Sequence, residues 1–599
     1  MRPTAYIQNA REKEPNLILS GLIGYDESDY GEEFANYSPT LPAETDFDIR
    51  IVRNTNAKTP GKRLYIYANG VWHYLNLDKY SKLLTVGEGG DYAKLSDALS
   101  SITDASETNR YCVVVIGKII DDAQINAKSY VDVIGFSADV TVQTDSDVDG
   151  VVFNDITEAE WRDITIRRKA NNTTSTDVCA CRIDGNTQKT CRLINCNFIN
   201  EVPTPETITG ACHGIEIHMY AEPVLINCKG IGSDAGEYCY GIVIDYWASP
   251  TIIDCEFQGG NGGIHCYGMS IGHFASPTIK GCKVQGGNGS NDCYGIKIWE
   301  EASPIIEGCE VQGGNGSNYC YGIWIGESAS PAIINCKIQG GSGGSYCYGI
   351  WIGYSASPTI TGCEVQGGSG GSYCYGMVIV NSASPTITNC ESIGGVISSH
   401  DTNFSESFQP YSDKPYMLLS IAVYVSAAQE SGATLKLGTT EGGDEIASGI
   451  PVDSTGWRYF DFNRVERAAG EYLYATVVDS GGNPISVSSD AIKIYYSVIT
   501  NYADCYGLYL DTYSYARIEG GTFVGNGASD GIRITGASIS AKNWLITNAT
   551  IETLDPANEY SVTADSSLTD APIYNCVLVG GLLNVTPATG TEQGSNIQV

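Results

Sequence analysis

The sequence has few charged residues for its length, and basic residues are the scarcer kind. Charged residues make up 17% of the 599 residues, and 69 acidic residues outnumber 35 Lys and Arg, which gives a net charge of −34. Proteins that bind nucleic acid through its phosphates carry clustered basic side chains. The charge balance therefore predicts that nucleic acid is not a partner.

Long apolar runs are also lacking. No run reaches the ~18 residues of a membrane span, so we predict no membrane insertion. The first eight residues, Met1 to Gln8, do not have the apolar core of a signal peptide. We therefore expect a protein that folds in a cytoplasm, where cysteines stay reduced.

The centre of the chain lacks helical periodicity and has a strict repeat of 27 residues instead. A fixed period of this length indicates stacked structural units. The tripeptide Cys-Tyr-Gly recurs with this period, and Cys-His-Gly stands one step earlier; their cysteines are Cys212, Cys239, Cys266, Cys293, Cys320, Cys347 and Cys374. A second series keeps the same spacing: Cys228, Cys255, Cys282, Cys309, Cys336, Cys363 and Cys390.

Each repeat contains two short β-like runs, for example Tyr321 to Ile325 and Ala332 to Ile338, separated by Gly, Asn, Ser and Pro. Such a unit cannot bury its own apolar face, but a stack of units can, which predicts a β-solenoid. The residue before the second cysteine is always Gly, Asn or Asp, which tolerate positive φ. We predict a bend between two strands at Asn227, Asp254, Gly281, Gly308, Asn335, Gly362 and Asn389.

The 21 cysteines allow two interpretations. Stacked coils place equivalent Cα atoms ~4.8 Å apart, which lies within the ~4.4–6.8 Å range of disulfides. We favour the alternative, small apolar thiols that fill interior columns. A parallel stack offers columns rather than tetrahedral clusters, and no CxxC motif occurs, so zinc is not expected.

The acidic turn Asp145 to Gly150 is similar to a DxDxDG calcium loop. A complete loop of that kind needs a Glu eleven residues after the first Asp, where Ile156 stands. We therefore favour a solvated turn over a calcium site, and predict neither a metal nor a cofactor.

The repeat resembles the right-handed parallel β-helix of the pectate-lyase-like superfamily. The segment Gly89 to Leu99, with Leu95, Ala98, Leu99 and Ile102 at helical spacing, looks like the short helix that caps such structures. The resemblance implies an all-β fold with 27-residue coils. It leaves function open, because this fold hosts lyases, hydrolases, esterases and binding proteins.

Residues 1–82 do not share the repeat. Residues Arg63 to Tyr74 alternate on both sides of Asn69-Gly70, which predicts a β-hairpin. The hairpin looks like those in the N-terminal modules of phage tail proteins, which implies a particle-anchoring domain; a small β-rich domain of no special function is the alternative.

The repeat is interrupted once. The Cys-Tyr-Gly expected at position 401 stands at Cys505. The intervening runs alternate like antiparallel strands, and the motif around Trp457 looks like carbohydrate-binding jelly-roll modules. We predict a β-sandwich inserted at residues 395–500, with the β-helix at 83–394 and its final coils and tail at 501–599.

Positions that vary between repeats are the candidates for function. Three variable columns place aromatic and acidic residues on one predicted outer face, and flat aromatic rings beside polar groups suit sugar rings. The predicted sugar-binding residues are Asp245, Tyr246, Trp247, His273, Trp299, Glu301, Trp324, Trp351 and Tyr354.

Glu300 and Glu327 occupy equivalent positions one repeat apart. Their backbones should lie ~5 Å apart, near the ~5–5.5 Å carboxylate separation of retaining glycosidases. They are the candidate catalytic pair of a hydrolase, although two solvated glutamates that splay apart are the simpler interpretation. A lyase would instead need a basic residue, for which Lys297 is the candidate.

Together these features favour a phage-like tailspike or tail fibre. The resemblance implies a parallel homotrimer, located in the virion tail and assembled in the host cytoplasm. It would bind host cell-surface polysaccharide and contact other tail or baseplate proteins through residues 1–82. Two alternatives remain: a glycan depolymerase that uses Glu300 and Glu327, and a non-viral surface adhesin or structural repeat protein.

Overall fold

The protein was analysed as a computed structural model, in which about seven tenths of the chain is described. The described residues are 49–54, 61–68, 71–76, 79–88, 90–136, 140–144, 148–169, 177–185, 191–201, 210–234, 236–261, 263–369, 372–403, 407–408, 416–429, 431–438, 447–460, 465–467, 472–487, 491–500, 506–510, 516–525, 531–534, 545–553, 560–564, 573–574, 576–579, 582–584 and 597–598. The acidic residues 145–147 of the predicted turn and Cys505 lie outside this set.

The chain divides into two compact units. The first unit contains residues 1–290 and 296–310, and the second contains residues 291–295 and 311–599. The strand Glu310–Gln312 contains the boundary.

The first unit is a parallel β-helix with three sheets, which we name A, B and C in the order that each complete repeat visits them. Sheet A contains Ile125–Asn126, Val151–Asn154, Val178–Asp184, Cys212–His218, Ile242–Ile244, Met269–Ile271 and Ile296–Ile298. Sheet B contains Lys82–Val86, Tyr111–Val115, Val131–Gly135, Ala159–Arg162, Cys191–Ile194, Val224–Ile226, Thr251–Ile253, Thr278–Lys280 and Ile305–Glu307. Sheet C contains Lys118–Asp121, Thr141–Thr144, Thr165–Lys169, Asn197–Glu201, Lys229–Ile231, Glu256–Gln258 and Lys283–Gln285.

The second unit repeats the three-sheet arrangement. Its sheet A contains Ile323–Ile325, Ile350–Ile352, Met377–Ile379, Leu508–Leu510, Ile532–Ile534, Tyr560–Ala564 and Leu582–Asn584. Sheet B contains Ala332–Ile334, Thr359–Thr361, Thr386–Thr388, Arg517–Glu519, Leu545–Thr547 and Ile573–Tyr574. Sheet C contains Lys337–Gln339, Glu364–Gln366, Glu391–Ile393, Thr522–Gly525, Thr550–Thr553, Val577–Val579 and Ile597–Gln598.

The core of each coil follows from the alternation within its short strands. Ile242 and Ile244 are fully buried on either side of the outward-facing Val243, and neighbouring coils repeat this pattern in register. The bend between sheets B and C has positive φ at every predicted position, from 50° at Asn227 to 64° at Gly362. The predicted left-handed bends are therefore confirmed, and they divide the second run of each repeat into two strands.

The cysteines agree with the thiol interpretation. All 20 cysteines in the described part of the chain are free and buried. Cys320, Cys347 and Cys374 pack on one another as one apolar column. The columns therefore fill the interior without crosslinks.

A short helix, Leu95–Ser101, confirms the predicted capping helix. Leu95, Ala98 and Leu99 are buried, and the helix contacts the strands that begin sheets A and B of the first unit. Asp121 fixes it by accepting hydrogen bonds from the Ser96 backbone N–H (2.8 Å) and hydroxyl (2.7 Å).

Before the β-helix lies a three-stranded antiparallel sheet of Ile49–Asn54, Gly61–Ala68 and Val71–Asn76. Ala68 pairs with Val71, which leaves Asn69 and Gly70 between the two strands and confirms the predicted hairpin.

The interruption is a β-sandwich. One sheet contains Val396–Asn403, Tyr416–Val425, Gly456–Phe460, Val465–Arg467 and Ile492–Thr500, and the other contains Ser407–Phe408, Thr434–Gly438, Ala447–Pro451 and Leu473–Val478. Residues of both sheets, such as Val423 and Leu435, share one buried core. Met377–Ile379 pairs directly with Leu508–Leu510, so the β-helix continues across the insertion. The domain limits themselves remain predictions.

Candidate functional site

The turns that follow seven sheet A strands, from Cys212–His218 to Met377–Ile379, have two consecutive residues in the left-handed conformation. This conformation costs an L-residue ~1–2 kcal/mol and is unusual for bulky side chains. The pairs are Met219–Tyr220, Tyr246–Trp247, His273–Phe274 and Glu300–Glu301 in the first unit, and Glu327–Ser328, Tyr354–Ser355 and Asn381–Ser382 in the second. These seven coils share the turn, but Asn381–Ser382 shows that the turn does not require aromatic residues.

Three of these residues form a ladder of parallel rings on the first unit, which we call the aromatic ladder. The rings of Tyr220 and Trp247 stack with centroids 5.4 Å apart, and those of Trp247 and Phe274 with centroids 5.2 Å apart. Their exposed fractions are 49%, 45% and 42%. Single exposed apolar residues are ordinary, but a contiguous exposed patch marks an interaction site.

A second row lies beside the aromatic ladder and combines aromatic and acidic groups. Tyr246 stacks on His273 with centroids 4.3 Å apart, and Trp299 meets the same imidazole edge-on at 4.7 Å. His273 Nε2 lies 2.7 Å from Glu300 Oε2, and His273 Nδ1 lies 3.4 Å from Asp245 Oδ1. The structure thus brings together five of the residues predicted from the sequence.

Asp245 is the buried end of this row. It is 9% exposed, and burial raises the pKa of its carboxyl group, while the neighbouring His273 acts in the opposite direction. A buried carboxylate needs hydrogen-bond donors. The long contact from His273 only partly meets that need.

A neighbouring charged cluster was missed in the sequence. Arg182 lies 3.0 Å from Asp149 and 2.8 Å from Glu216, and Glu216 also lies 3.2 Å from His218. Burial raises the pKa of Glu216 to about 7, although Arg182 opposes the shift. Arg182 and Glu216 are register partners on adjacent strands. The 27-residue period holds only from Cys212 onward. The sequence therefore did not show that Arg182, in the preceding coil, lies opposite Glu216.

One sequence expectation was wrong. All three variable columns were expected to meet solvent, but in one of them Glu216, Val243 and Ser270 are 6%, 5% and 4% exposed. Their side chains point away from the helix interior, yet they are short or ion-paired and lie among larger side chains of the same face, such as Tyr267.

The remaining predicted residues lie in the second unit. Trp324 and Trp351 stack with centroids 5.2 Å apart, and Tyr354 packs against Trp351 at 5.4 Å and is 52% exposed. Glu327 is exposed on the turn that follows Trp324. The predicted sites therefore form two groups, one in each unit, and the pairing of Glu300 with Glu327 stays a prediction.

Within the described residues, no group of three or more His, Cys, Asp or Glu side chains could hold a metal ion. Over the same residues, none of the helices has the length and hydropathy needed to cross a bilayer.

The fold and the outer face together define the class, that of right-handed parallel β-helix proteins. Residues 213–392 match the family model described as "Right handed beta helix region", which covers less than a third of the chain. A search of curated proteins finds no match to this sequence.

Solved structures give more specific likenesses. Tailspike protein 2 of Escherichia coli O157:H7 bacteriophage CAB120 is 10% identical over 82% of this chain and 79% of that chain, with a TM-score of 0.35. The Acinetobacter phage vB_ApiP_P1 tailspike protein is 11% identical over 80% and 98%, with a TM-score of 0.27. The catalytic domain of GH87 alpha-1,3-glucanase is 11% identical over 55% and 70%, with a TM-score of 0.19. At these TM-scores the likenesses do not identify what this chain does.

Proposed function

We propose that the protein is a tailspike-like receptor-binding protein that attaches to host cell-surface glycans. The observation that carries this proposal is the exposed aromatic ladder of Tyr220, Trp247 and Phe274. A sugar ring offers an apolar C–H face that packs on an aromatic ring, and its hydroxyls suit the acidic row beside the ladder. Bulky residues held in a strained conformation at a surface are themselves a pointer to function.

We also propose roles for the N-terminal residues and the sandwich, based on the sequence analysis. Residues 1–82 would join the protein to other components of a virion tail, and the inserted sandwich would add a second sugar-binding surface. The protein would act as a homotrimer. Light scattering should then give three times the 64.1 kDa mass of one chain; the mass of a single chain would count against a tailspike.

The test of glycan binding is an array of purified bacterial O-chains and capsular polysaccharides probed with the labelled full-length protein. The parent should bind a subset, and Trp247→Ala with Phe274→Ala should lose that binding. Ile120→Ala is the matched control, because Ile120 is exposed (66%) on sheet C, away from the ladder. Equal binding by the ladder variant would refute the proposal, as would an absence of binding to every polysaccharide.

A second candidate function is cleavage of the same glycan. The linked carboxylate and imidazole groups of Asp245, His273 and Glu300, next to the ladder, favour it. Glu300 and Glu327 would be the acid and the nucleophile or base. The bound polysaccharide should then shorten in a sizing assay, and Glu300→Gln or Glu327→Gln should abolish the shortening. If chain length does not change, the protein only binds. If both variants cleave like the parent, Glu300 and Glu327 are not the catalytic pair.

A further inference from the structure

Gly272 occupies a distinctive position on sheet A of the first unit. The register of the three strands aligns it with Asp245 in the preceding coil and with Trp299 in the next. A Cβ at residue 272 would lie 2.4 Å from Trp299 Nε1 and 2.8 Å from Asp245 Oδ1. A donor and an acceptor therefore converge on one point of the outer face, and only glycine leaves room for both.

The polar atoms around this point are poorly satisfied. Asp245 Oδ1, Trp299 Nε1 and His273 Nδ1 are all buried and none makes a hydrogen bond of good geometry, although Asp245 Oδ1 and His273 Nδ1 lie 3.4 Å apart. Leaving a buried polar group unsatisfied costs ~1–3 kcal/mol, so such groups are rare and call for an explanation. Three of them at one point indicate a place for a polar ligand group.

The chemistry of these atoms selects the group. Trp299 Nε1–H can only donate, and an ionised Asp245 oxygen can only accept. One hydroxyl satisfies both, because it accepts from the indole and donates to the carboxylate. An acidic ligand group would instead face the carboxylates of Asp245 and Glu300, both of which contact His273. Lys297, whose Nζ lies 4.5 Å from the Trp299 ring centroid, offsets only part of that repulsion.

The position fits a sugar that lies on the ladder. His273 connects this point to the row beside the ladder, since its ring stacks on Tyr246 and meets Trp299 edge-on. Its side chain is 24% exposed, so an outward turn of this ring would open the buried atoms to a ligand.

We propose that Asp245, His273 and Trp299 form a hydroxyl-binding subsite for an uncharged sugar ring that stacks beside the aromatic ladder. This inference rests on the proposed function and adds the chemical class of the ligand. The subsite prefers neutral polysaccharides to those that contain uronic acids.

The test uses neutral and uronic-acid-containing capsular polysaccharides as probes, with binding measured by biolayer interferometry. Trp299→Phe keeps the ring and removes the N–H, and it should weaken binding of the neutral probe about tenfold. Gly272→Ala should weaken it at least as much, because the methyl group displaces Trp299 Nε1 and Asp245 Oδ1. Ile120→Ala is the control and should bind like the parent, because Ile120 is exposed on sheet C, away from these residues.

The outcomes separate the two proposals. If the Trp247→Ala variant loses binding but Trp299→Phe binds like the parent, the subsite is wrong and the ladder stands. A preference for uronic-acid polysaccharides also overturns the subsite. If no polysaccharide binds, both proposals fail. Thermal melting of each variant identifies folding defects, and Trp299→Phe decides the question if Gly272→Ala does not fold.

Discussion

At the scale of single residues, the left-handed turn shows which residue types the fold requires and which it does not. Asn381 and Ser382 satisfy the turn with small polar side chains, whereas Tyr246 and Trp247 satisfy the same turn with large ones. Because small polar residues adopt this conformation more easily, the backbone does not explain the aromatic choice. Binding of a ligand is an explanation that these positions share.

Glu216 is expected to make stability depend on pH. Burial raises its folded-state pKa to about 7 from an ordinary value of 4.5. The folded protein then holds a proton that the unfolded chain releases, so this contribution is fully present below pH 4.5 and is lost as the pH rises to about 7. The shift corresponds to roughly 3 kcal/mol.

Guanidinium unfolding of the parent and of Glu216→Gln between pH 4.5 and 7.5 measures this contribution. The neutral amide should remove it, so the difference in stability between the two proteins should change with pH. A difference that is constant over this range would contradict the predicted pKa.

The bend between sheets B and C predicts a residue-specific effect at Asn335, whose φ is 51°. Asn335→Val should destabilise the protein by ~1–2 kcal/mol, because a β-branched side chain does not fit the left-handed region. Asn335→Gly is the control and should be close to neutral. Equal denaturation midpoints for the two variants would show that the backbone strain is not the determining factor.

At the scale of elements, the cysteine columns fill the interior. Their thiols should therefore react poorly with a thiol reagent in the native protein. Burial raises the pKa of the column member Cys212 to about 11, whereas hydrogen bonds from neighbouring thiols lower the pKa of Cys320 and Cys390. The thiolate is the reactive form, but every described cysteine is buried, which keeps a reagent away from it.

The prediction is that Ellman's reagent detects no more than one thiol in the native protein and all 21 in denaturant without reductant. The allowance of one covers Cys505, which lies outside the described residues. Fewer than 21 thiols in denaturant would indicate disulfides and would reverse the thiol interpretation.

The strands also show how much of the fold the sequence could predict. The 27-residue period alone located the bends, and the alternation within the insertion predicted the antiparallel strands of the sandwich, such as Tyr416–Val425. Periodicity works here because each coil repeats one backbone conformation. It fails before Cys212, where coil lengths vary, and there it missed the ion pair of Arg182 with Glu216.

The candidate site was less predictable than the fold. The sequence identified Tyr246, Trp247 and His273 as a group because they share columns. It could not show that Asp245 and Trp299 converge on Gly272, because this depends on side-chain directions across three coils. The burial of the column with Glu216, Val243 and Ser270 likewise depends on the sizes of the neighbouring side chains. The repeat pattern does not show which side chains are neighbours.

At the scale of the whole molecule, the sandwich should be dispensable for folding. Val396 and Thr500 are paired residues of adjacent antiparallel strands, so the ends of the insertion lie ~4.5–5.5 Å apart. An insertion whose ends meet is easily tolerated by the host fold.

Replacing residues 396–500 with a short Gly- and Asn-rich turn, like those of the other coils, should leave a folded β-helix. The circular dichroism of the shortened protein should show a cooperative thermal transition, and binding that depends on Trp247 should survive. Aggregation of the shortened protein would mean that the sandwich is part of the folding unit.

The capping helix Leu95–Ser101 has a further consequence. Parallel coils join by pairing the backbone groups of one strand with those of the next, and nothing in that pairing limits the number of coils. An uncovered first coil would be a template on which another molecule could add its own strands. By occupying that end, the seven-residue helix blocks the pairing of a second molecule with the first coil. The cap therefore limits the stack to the coils of one chain and prevents growth into a fibril.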